Sequence, residues 1–300
     1  MSLDLHPYLL VYLSTCLLRF IEQGVIFYRM SSFDRSIKPV ALFQRGLSAF
    51  AIGQQLVVEQ VKIPIHQLHP ALEGFKIVQL SDFHLDPFFQ IEMLRTAVSM
   101  VNALQPDLVV LTGDYVTKIG DAIFELGPLL AGLNARYGVY ASLGNHDVRS
   151  RAKVIKSGLR QARLPLLVNA GLPITVGQGQ LYLAGLDDGL WGRPSLKEAL
   201  INCPPATPVI LLAHEPDLVD QVATDVRVAL QLSGHTHGGQ IRLPGLGALT
   251  LPSLGSKYVQ GLYRVRSTWL YTNRGIGSIR IPVRMNCQPE ITEITLVAGA

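Results

Sequence analysis

Residues 75–84 have the sequence FKIVQLSDFH, in which a mostly apolar run leads directly into an aspartate and a histidine. The run Phe75–Leu80 is typical of a short buried strand. In an extended segment, residues two apart project to the same face, so Asp82 and His84 are expected to hold one cation together. An isolated pair of this kind fits an ordinary polar turn after a strand equally well.

Four further apolar runs each predict a strand, and each ends in residues of the types that bind metals. These runs and the residues that follow them are Leu108–Leu111 with Asp114, Tyr137–Leu143 with Asn145, His146 and Asp147, Val209–Ala213 with His214, and Val228–Leu232 with His235 and His237. In layered α/β folds, side chains from neighbouring strand ends converge in the crevice beyond the carboxyl ends. Five such turns in order therefore predict one metal site.

The remaining patterns predict an α/β fold. Helical spacing of apolar residues runs over Glu92–Leu104, and prolines at 64, 70 and 106 are expected to break the chain. Further strands are predicted at Leu181–Leu186, Tyr258–Arg266, Trp269–Thr272 and Glu290–Leu296. The architecture expected is a four-layer sandwich in which two mixed β-sheets are flanked by helices.

Composition excludes a disordered chain and gives little support to nucleic acid as a stable partner. Hydrophobic residues make up 48% of the 300 residues and charged residues 16%, which provides ample material for a core. Lys and Arg exceed Asp and Glu by 26 to 22, a small excess that mildly favours anionic partners such as phosphates. The three cysteines are widely separated, so we expect free thiols.

Two regions are expected, an apolar N-terminal extension at 1–56 and a catalytic domain at 57–300. The uncharged run Pro7–Leu18 is too short to span a bilayer, which takes about 20 residues. A second uncharged run, Gly46–Val58, follows several cations, so the extension could lie in a membrane interface. It could equally form two amphipathic helices packed on the domain. The expected location is peripheral membrane association, with a cytoplasmic protein as the alternative.

The set DxH, GD, GNHD, H and GHxH resembles the calcineurin-like metallophosphoesterase family, and the segments at 238–244 and 273–278 are similar to its YaeI/YkuE-type bacterial branch. The resemblance implies that Asp82, His84 and His237 hold one metal ion. It implies that Asn145, His214 and His235 hold a second ion, that Asp114 bridges the two, and that His146 is the catalytic acid. Members of this branch often carry an N-terminal membrane-associated segment.

The residue types suit phosphoester hydrolysis independently of that resemblance. Two divalent ions, two carboxylates and a bridging hydroxide leave a net charge of about +1, which attracts a phosphate anion. The amide of Asn145 fills a ligand position without cancelling that charge. The ligand set suits Mn, Fe, Zn, Co or Ni and does not select among them. Asp147 either orients His146 or caps a helix, and Arg242 is the preferred substrate contact among five loop arginines, the others being Arg149, Arg274, Arg280 and Arg284.

The function predicted is metal-dependent phosphoester hydrolysis with a bridging hydroxide as nucleophile. A phosphodiesterase or pyrophosphatase that acts on a lipid-linked or amphiphilic phosphoester is the first hypothesis. A cytosolic phosphomonoesterase or nucleotide phosphodiesterase is the alternative, and a non-catalytic scaffold is a third. Ile241, Leu243, Leu246, Leu249 and Leu251 could receive an acyl chain, but core packing is slightly preferred.

Overall fold

The computed structural model describes residues 55–85, 91–280 and 282–299. Within these ranges the strands are β1 (Val57–His66), β2 (Lys76–Leu80), β3 (Leu108–Leu111), β4 (Val139–Ala141), β5 (Ala170–Val176), β6 (Gly179–Gly185), β7 (Val209–Leu212), β8 (Val228–Ser233), β9 (Arg242–Leu243), β10 (Gly247–Ala248), β11 (Gly261–Val265), β12 (Thr268–Thr272) and β13 (Glu290–Gly299). The α-helices are α1 (Ile91–Ala103), α2 (Ile123–Leu130), α3 (Asn145–Gln161), α4 (Leu196–Ala199) and α5 (Val219–Val222).

Eleven of these strands form two mixed sheets. The five-stranded sheet has the order β1-β13-β2-β3-β4, in which only β13 and β2 are antiparallel neighbours. The six-stranded sheet has the order β11-β12-β8-β7-β6-β5, with antiparallel pairs at both edges and parallel pairs in the middle. Strands β9 and β10 pair separately as a hairpin. The predicted sandwich of two mixed sheets is confirmed.

Alternating side chains of the central strands fill different layers of the core. Leu108 and Val110 of β3 pack between the two sheets, with Ile210 and Leu230 of the other sheet. Val109 of β3 belongs instead to the layer between the first sheet and its helices. Because a strand buried on both faces needs apolar residues throughout, the uninterrupted sequence LVVL follows from this position.

Helices cover the outer faces of both sheets. Leu94, Ala97 and Val101 of α1 lie at i, i+3 and i+7, so one stripe of the helix packs on the first sheet. Ala199 of α4 and Val222 of α5 cover the outer face of the second sheet. The order helix, sheet, sheet, helix brings the carboxyl ends of the central parallel strands to one edge of the sandwich.

Two strands of the large sheets and the short β9–β10 hairpin were not predicted from the sequence, and one expected break is wrong. Strand β1 contains Pro64, which was expected to interrupt the chain. Among the described strands, β1 lies at the edge of its sheet beside β13, so a residue without an N–H is tolerated there. Strand β5 at the opposite edge is partly exposed and shows no clear alternation of apolar residues.

The predicted extension at 1–56 lies outside the described residues except for Gln55 and Leu56. Both interpretations of it therefore stay predictions. Among the helices that the structure describes, none combines the length and the apolar character needed to cross a bilayer.

Replacing Ile294 with alanine tests the inter-sheet core. Ile294 is fully buried between the sheets and pairs with Ile77. We expect Ile294→Ala to lower the free energy of unfolding by about 2–5 kcal/mol, because the cavity cannot fully collapse between two sheets. Urea denaturation measures the change. Ile201→Ala is the matched control, since Ile201 is exposed and its truncation should matter little; an equal loss in both variants would contradict the assigned core.

Candidate metal centre

The ends of five parallel strands deliver the candidate ligands to one crevice. Asp82 and His84 follow β2, Asp114 follows β3 and Asn145 follows β4, while His214 follows β7 and the pair His235 and His237 follows β8. All seven are buried. The structure therefore brings together every residue that the sequence patterns nominated as a ligand.

Five of these residues have left-handed backbone conformations. The φ angles are 51° at Asp82, 47° at His84, 55° at Asp114, 72° at His235 and 52° at His237. The expected extended geometry for Asp82 and His84 is therefore wrong, and their side chains converge through a tight turn instead. Each left-handed non-glycine residue costs roughly 1–2 kcal/mol. Hydrogen bonds across the site offset this strain, such as those from Asp82 N to Gly113 O and from His84 N to Asp114 O, both 3.0 Å.

Two glycines allow the turns to approach one another. A Cβ at Gly144 would overlap with the carboxylate and backbone of Asp114 and with the ring of His214. A Cβ at Gly234 would overlap with Ser81 and with the Asp82 carboxylate. Any larger side chain at either position would separate the ligand turns, which explains the glycine in each of these segments.

The first group of donors comprises Asp82, His84 and His237. Nε2 of His237 lies 3.4 Å from Oδ1 of Asp82 and 3.0 Å from Nε2 of His84. Nε2 of His84 lies 3.9 Å from the same Asp82 oxygen. One cation could contact all three atoms, because their mutual distances stay within 4.8 Å.

The second group comprises Asp114, His214, His235 and Asn145. Nε2 of His214 lies 3.2 Å from Oδ2 of Asp114, and Nδ1 of His235 lies 2.9 Å from Oδ1 of Asn145. The same Asp114 oxygen lies 3.5 Å from Nε2 of His84 in the first group. Asp114 therefore stands between the two groups, in the position that a bridging ligand requires.

Hydrogen bonds at the outer ring nitrogens orient three of the imidazoles. Nδ1 of His214 lies 2.6 Å from the carbonyl oxygen of Thr112, and Nε2 of His235 lies 2.8 Å from that of Ser253. Nδ1 of His84 lies 3.2 Å from Oγ1 of Thr117. An outer N–H that donates to oxygen leaves the inner nitrogen unprotonated and free to ligate a metal. The sequence patterns did not predict these hydrogen-bond partners, because residue spacing does not indicate which backbone carbonyl accepts from a histidine.

Burial sets the protonation of the histidines. It lowers the pKa of His84 to about 3 and that of His235 to about 4, so both rings are neutral. Burial opposes a charge on His214 as well, but the neighbouring carboxylate of Asp114 raises its pKa well above the usual value. The reciprocal effect holds the pKa of Asp114 well below its usual range, against the opposing effect of burial. The Asp114 carboxylate therefore favours positive charge at this position, which a bound cation would supply.

The donors fit divalent metal ions. Nε2 of His214 is buried and has no well-aligned hydrogen-bond partner among the described residues. Buried polar atoms are rarely left without one, and a metal would satisfy it. Burial also raises the pKa of Asp82 to about 6, as expected for a carboxylate held away from water, with the nearby charge of Asp114 adding to the effect. Imidazole, carboxylate and amide donors in this mixture suit first-row transition metals.

His146 lies beside the cluster and is partly exposed. Its ring stands edge-on to that of His84, with centroids 4.9 Å apart, and its backbone N–H donates to Oδ1 of Asp114. Nδ1 of His146 lies 3.0 Å from the carbonyl oxygen of Thr117. Nδ1 therefore donates to this carbonyl, and the other ring nitrogen would donate a proton to a bound substrate from the imidazolium form.

Asp147 contacts backbone amides and not the His146 ring. Its carboxylate accepts N–H groups from Gly144, Asp114 and Tyr115 at 2.8–2.9 Å. Of the two roles considered for Asp147, these contacts are those of a helix cap, and they also hold the Asp114 turn in place. The ring of His146 faces the carbonyl oxygen of Thr117 instead.

The five candidate arginines have different surroundings. Arg149 and Arg280 are exposed, and Nη1 of Arg242 donates to the Gly238 carbonyl oxygen at 2.9 Å, beside the His237 turn. Arg274 pairs with Glu59 and Glu290. Arg284 is 1% exposed, so it lies in the interior and not at an open loop surface.

Comparison with known proteins shows the family of this chain. Residues 75–239 match the family described as Calcineurin-like phosphoesterase. The chain is 40% identical over 228 residues to the uncharacterized metallophosphoesterase YkuE of Bacillus subtilis, covering 75% of this chain and 79% of that protein. It is 34% identical over 231 residues to the phosphodiesterase YaeI of Escherichia coli, covering 74% of this chain and 82% of that protein. A bovine transmembrane protein with a metallophosphoesterase domain is 33% identical over 268 residues, covering 82% and 58%.

The chain belongs to the calcineurin-like metallophosphoesterase family, in the branch that includes YkuE and YaeI. It is a metal-dependent hydrolase of phosphoester bonds, as the ligand turns predicted. The family uses divalent metals, and the candidate donors described above are the residues that could hold them.

Substituting Gly144 tests the close approach of the ligand turns. We expect Gly144→Ala to displace Asp114 and to lower metal content by tenfold or more, because disturbing supporting groups typically costs roughly 10–100-fold in metal affinity. Metal content after desalting measures the effect. Gly132→Ala is the control, since Gly132 is exposed, away from the crevice, and its Cβ would come no closer than 3.1 Å to a neighbour. Full metal content in Gly144→Ala would refute the argument.

Proposed function

We propose that this protein is a dinuclear metal-dependent phosphodiesterase or pyrophosphatase that acts on a lipid-linked or amphiphilic phosphoester. The observation that carries the dinuclear part is the position of Asp114, whose Oδ2 lies within 3.5 Å of imidazoles from both donor groups. The proposal assigns one ion to Asp82, His84 and His237 and the other to Asn145, His214 and His235. Two divalent ions held there would supply a bridging hydroxide as the nucleophile.

The remaining chemistry falls to side chains of the chain itself. His146 reaches solvent at the edge of the crevice, so it can protonate the leaving oxygen of the substrate. Arg242 at the rim is the proposed contact for a phosphate oxygen. Asn145 contributes an uncharged donor, which preserves the positive charge that attracts the anion.

An apolar loop at residues 241–253 supports an amphiphilic substrate. Leu246, Leu249 and Leu251 are 79%, 42% and 37% exposed, so the preference for core packing is wrong for these three. The loop lies beside the metal centre, because Ala248 contacts Gly239 next to the His237 turn and the carbonyl of Ser253 accepts from His235. Exposed leucines beside a phosphoesterase site are suited to hold an acyl chain.

The alternative proposal is a cytosolic phosphomonoesterase or nucleotide phosphodiesterase, for which these leucines would have no role. Serine at all three positions, Leu246, Leu249 and Leu251, separates the two. We expect KM for a long-chain alkyl phosphodiester to rise at least tenfold, since each buried leucine contributes about 1.5–3 kcal/mol. Activity on bis-p-nitrophenyl phosphate should stay nearly constant.

The matched control places serine at three exposed apolar positions elsewhere, namely Ile201, Val226 and Leu262. It should leave both substrates unaffected. Equal loss on both substrates in the loop variant, or no change on either, would favour the cytosolic alternative.

Substitutions at His146 and Asp114 test the assigned roles. His146→Ala should lower kcat by roughly 100-fold or more while leaving metal content nearly intact, because a general acid contributes about 10²–10⁴-fold. Asp114→Ala should lose metal as well as activity.

Hydrolysis of bis-p-nitrophenyl phosphate with added Mn²⁺, together with metal analysis, measures both. Equal metal loss would mean that His146 is misassigned, and turnover unaffected by a chelator would contradict the enzyme mechanism.

Membrane association is proposed through the extension at 1–56, on the basis of its apolar sequence. Cell fractionation that compares the full chain with a chain beginning at Val57 tests this proposal. Loss of the membrane fraction on truncation is expected, and a soluble full-length chain would favour the cytoplasmic alternative.

A further inference from the structure

Arg284 is a buried cation beside the metal centre. It is 1% exposed, and no carboxylate of the described residues lies within ion-pair distance of its guanidinium. The guanidinium donates instead to backbone carbonyls, at 2.8 Å to Arg274, 3.1 Å to Gly275 and 3.0 Å to Gly277. Burying a charge without a countercharge is strongly unfavourable, so the arrangement needs a reason beyond local stability.

The carbonyls that accept hydrogen bonds from Arg284 belong to residues 274–277, a loop that supports Asp82. Within this loop, Ile276 N donates to the carbonyl of Ser81 at 3.0 Å, and Gly277 N donates to that of Asp82 at 2.7 Å. A Cβ at Gly275 would press on the Cβ of Asp82. Fixing residues 274–277 therefore fixes the backbone of the Asp82 turn.

Arg284 also reaches the other side of the same donor group. Its Nη2 lies 3.4 Å from Nδ1 of His237, and the nearby thiol of Cys287 donates to the His237 carbonyl at 3.0 Å. His214 and His235 have their outer partners elsewhere, at Thr112 and Ser253. His237 is thus the candidate ligand whose outer nitrogen faces a guanidinium and not an oxygen.

We infer that Arg284 is a positioning residue that sets the distance between Asp82 and His237, and so controls the affinity of the ion bound by Asp82, His84 and His237. The rings of His214 and His235 have their outer partners elsewhere, so the second ion should depend less on Arg284, although His235 N donates to the Asp82 carboxylate. This inference concerns metal affinity alone and goes beyond the proposed function, because it holds for any phosphoester substrate.

Calorimetric titration of the metal-free protein with Mn²⁺ tests the inference through Arg284→Lys and Arg284→Gln. We expect one binding step to weaken roughly 10–100-fold, the range for outer-shell substitutions, while the other step stays nearly unchanged. Lysine should not restore the metal affinity, because its single ammonium cannot donate to several carbonyls with the planar geometry of a guanidinium. Arg95→Gln, at an exposed helical position, is the control and should change neither step. Equal weakening of both steps, or of neither, would overturn the inference.

A second measurement uses the unaltered chain, so it does not depend on either variant folding. Because linkage is reciprocal, an ion held through Asp82 should stabilise the loop that supports Asp82. We expect Mn²⁺ to slow hydrogen exchange by about tenfold or more in the peptide that contains Ile276 and Gly277, as mass spectrometry would detect. Exchange in β6 serves as the reference. If exchange at 276–277 did not respond to Mn²⁺, the coupling would be refuted.

Discussion

One carboxylate oxygen, Oδ2 of Asp114, lies 3.5 Å from the imidazole of His84 and 3.2 Å from that of His214. Around it, a buried crevice holds two carboxylates and four imidazoles within a few ångströms. Such a cluster is unfavourable without compensating cations, since burial favours neutral groups and like charges repel. The surrounding turns, caps and glycines serve to hold these donors together against that tendency.

The strain that this crowding imposes lies in the backbone of the ligand turns. Five ligands sit in left-handed conformations that extended strands could not provide. The two sheets make this possible, because their strand ends are fixed by a core of fully buried side chains between them. Asp147 adds a rigid clamp, since one carboxylate satisfies backbone amides of both the Asp114 turn and the start of α3. Rigid supports of this kind hold the donors in a geometry suited to a metal before the metal binds.

The two donor groups are supported by different parts of the chain. Carbonyls of Thr112 and Ser253 orient His214 and His235, whereas the C-terminal segment with Arg284 and Cys287 lies behind His237. The support at Ser253 belongs to the same loop that carries the exposed leucines. The exposed leucines and the orientation of the His235 ring therefore depend on the same short segment.

The sequence by itself determined the positions of most strands in the two sheets and the ligand residues at their ends, because apolar runs and polar turns are local patterns. Tyr137–Leu143 already located β4, and the histidines at 235 and 237 already marked a metal site. Only the tertiary structure decided the left-handed turns, the capping contacts of Asp147 and the burial of Arg284. These features depend on partners distant in the chain, such as Asp82 with His235 or β1 with β13, and the pairing of distant segments leaves no trace in local spacing.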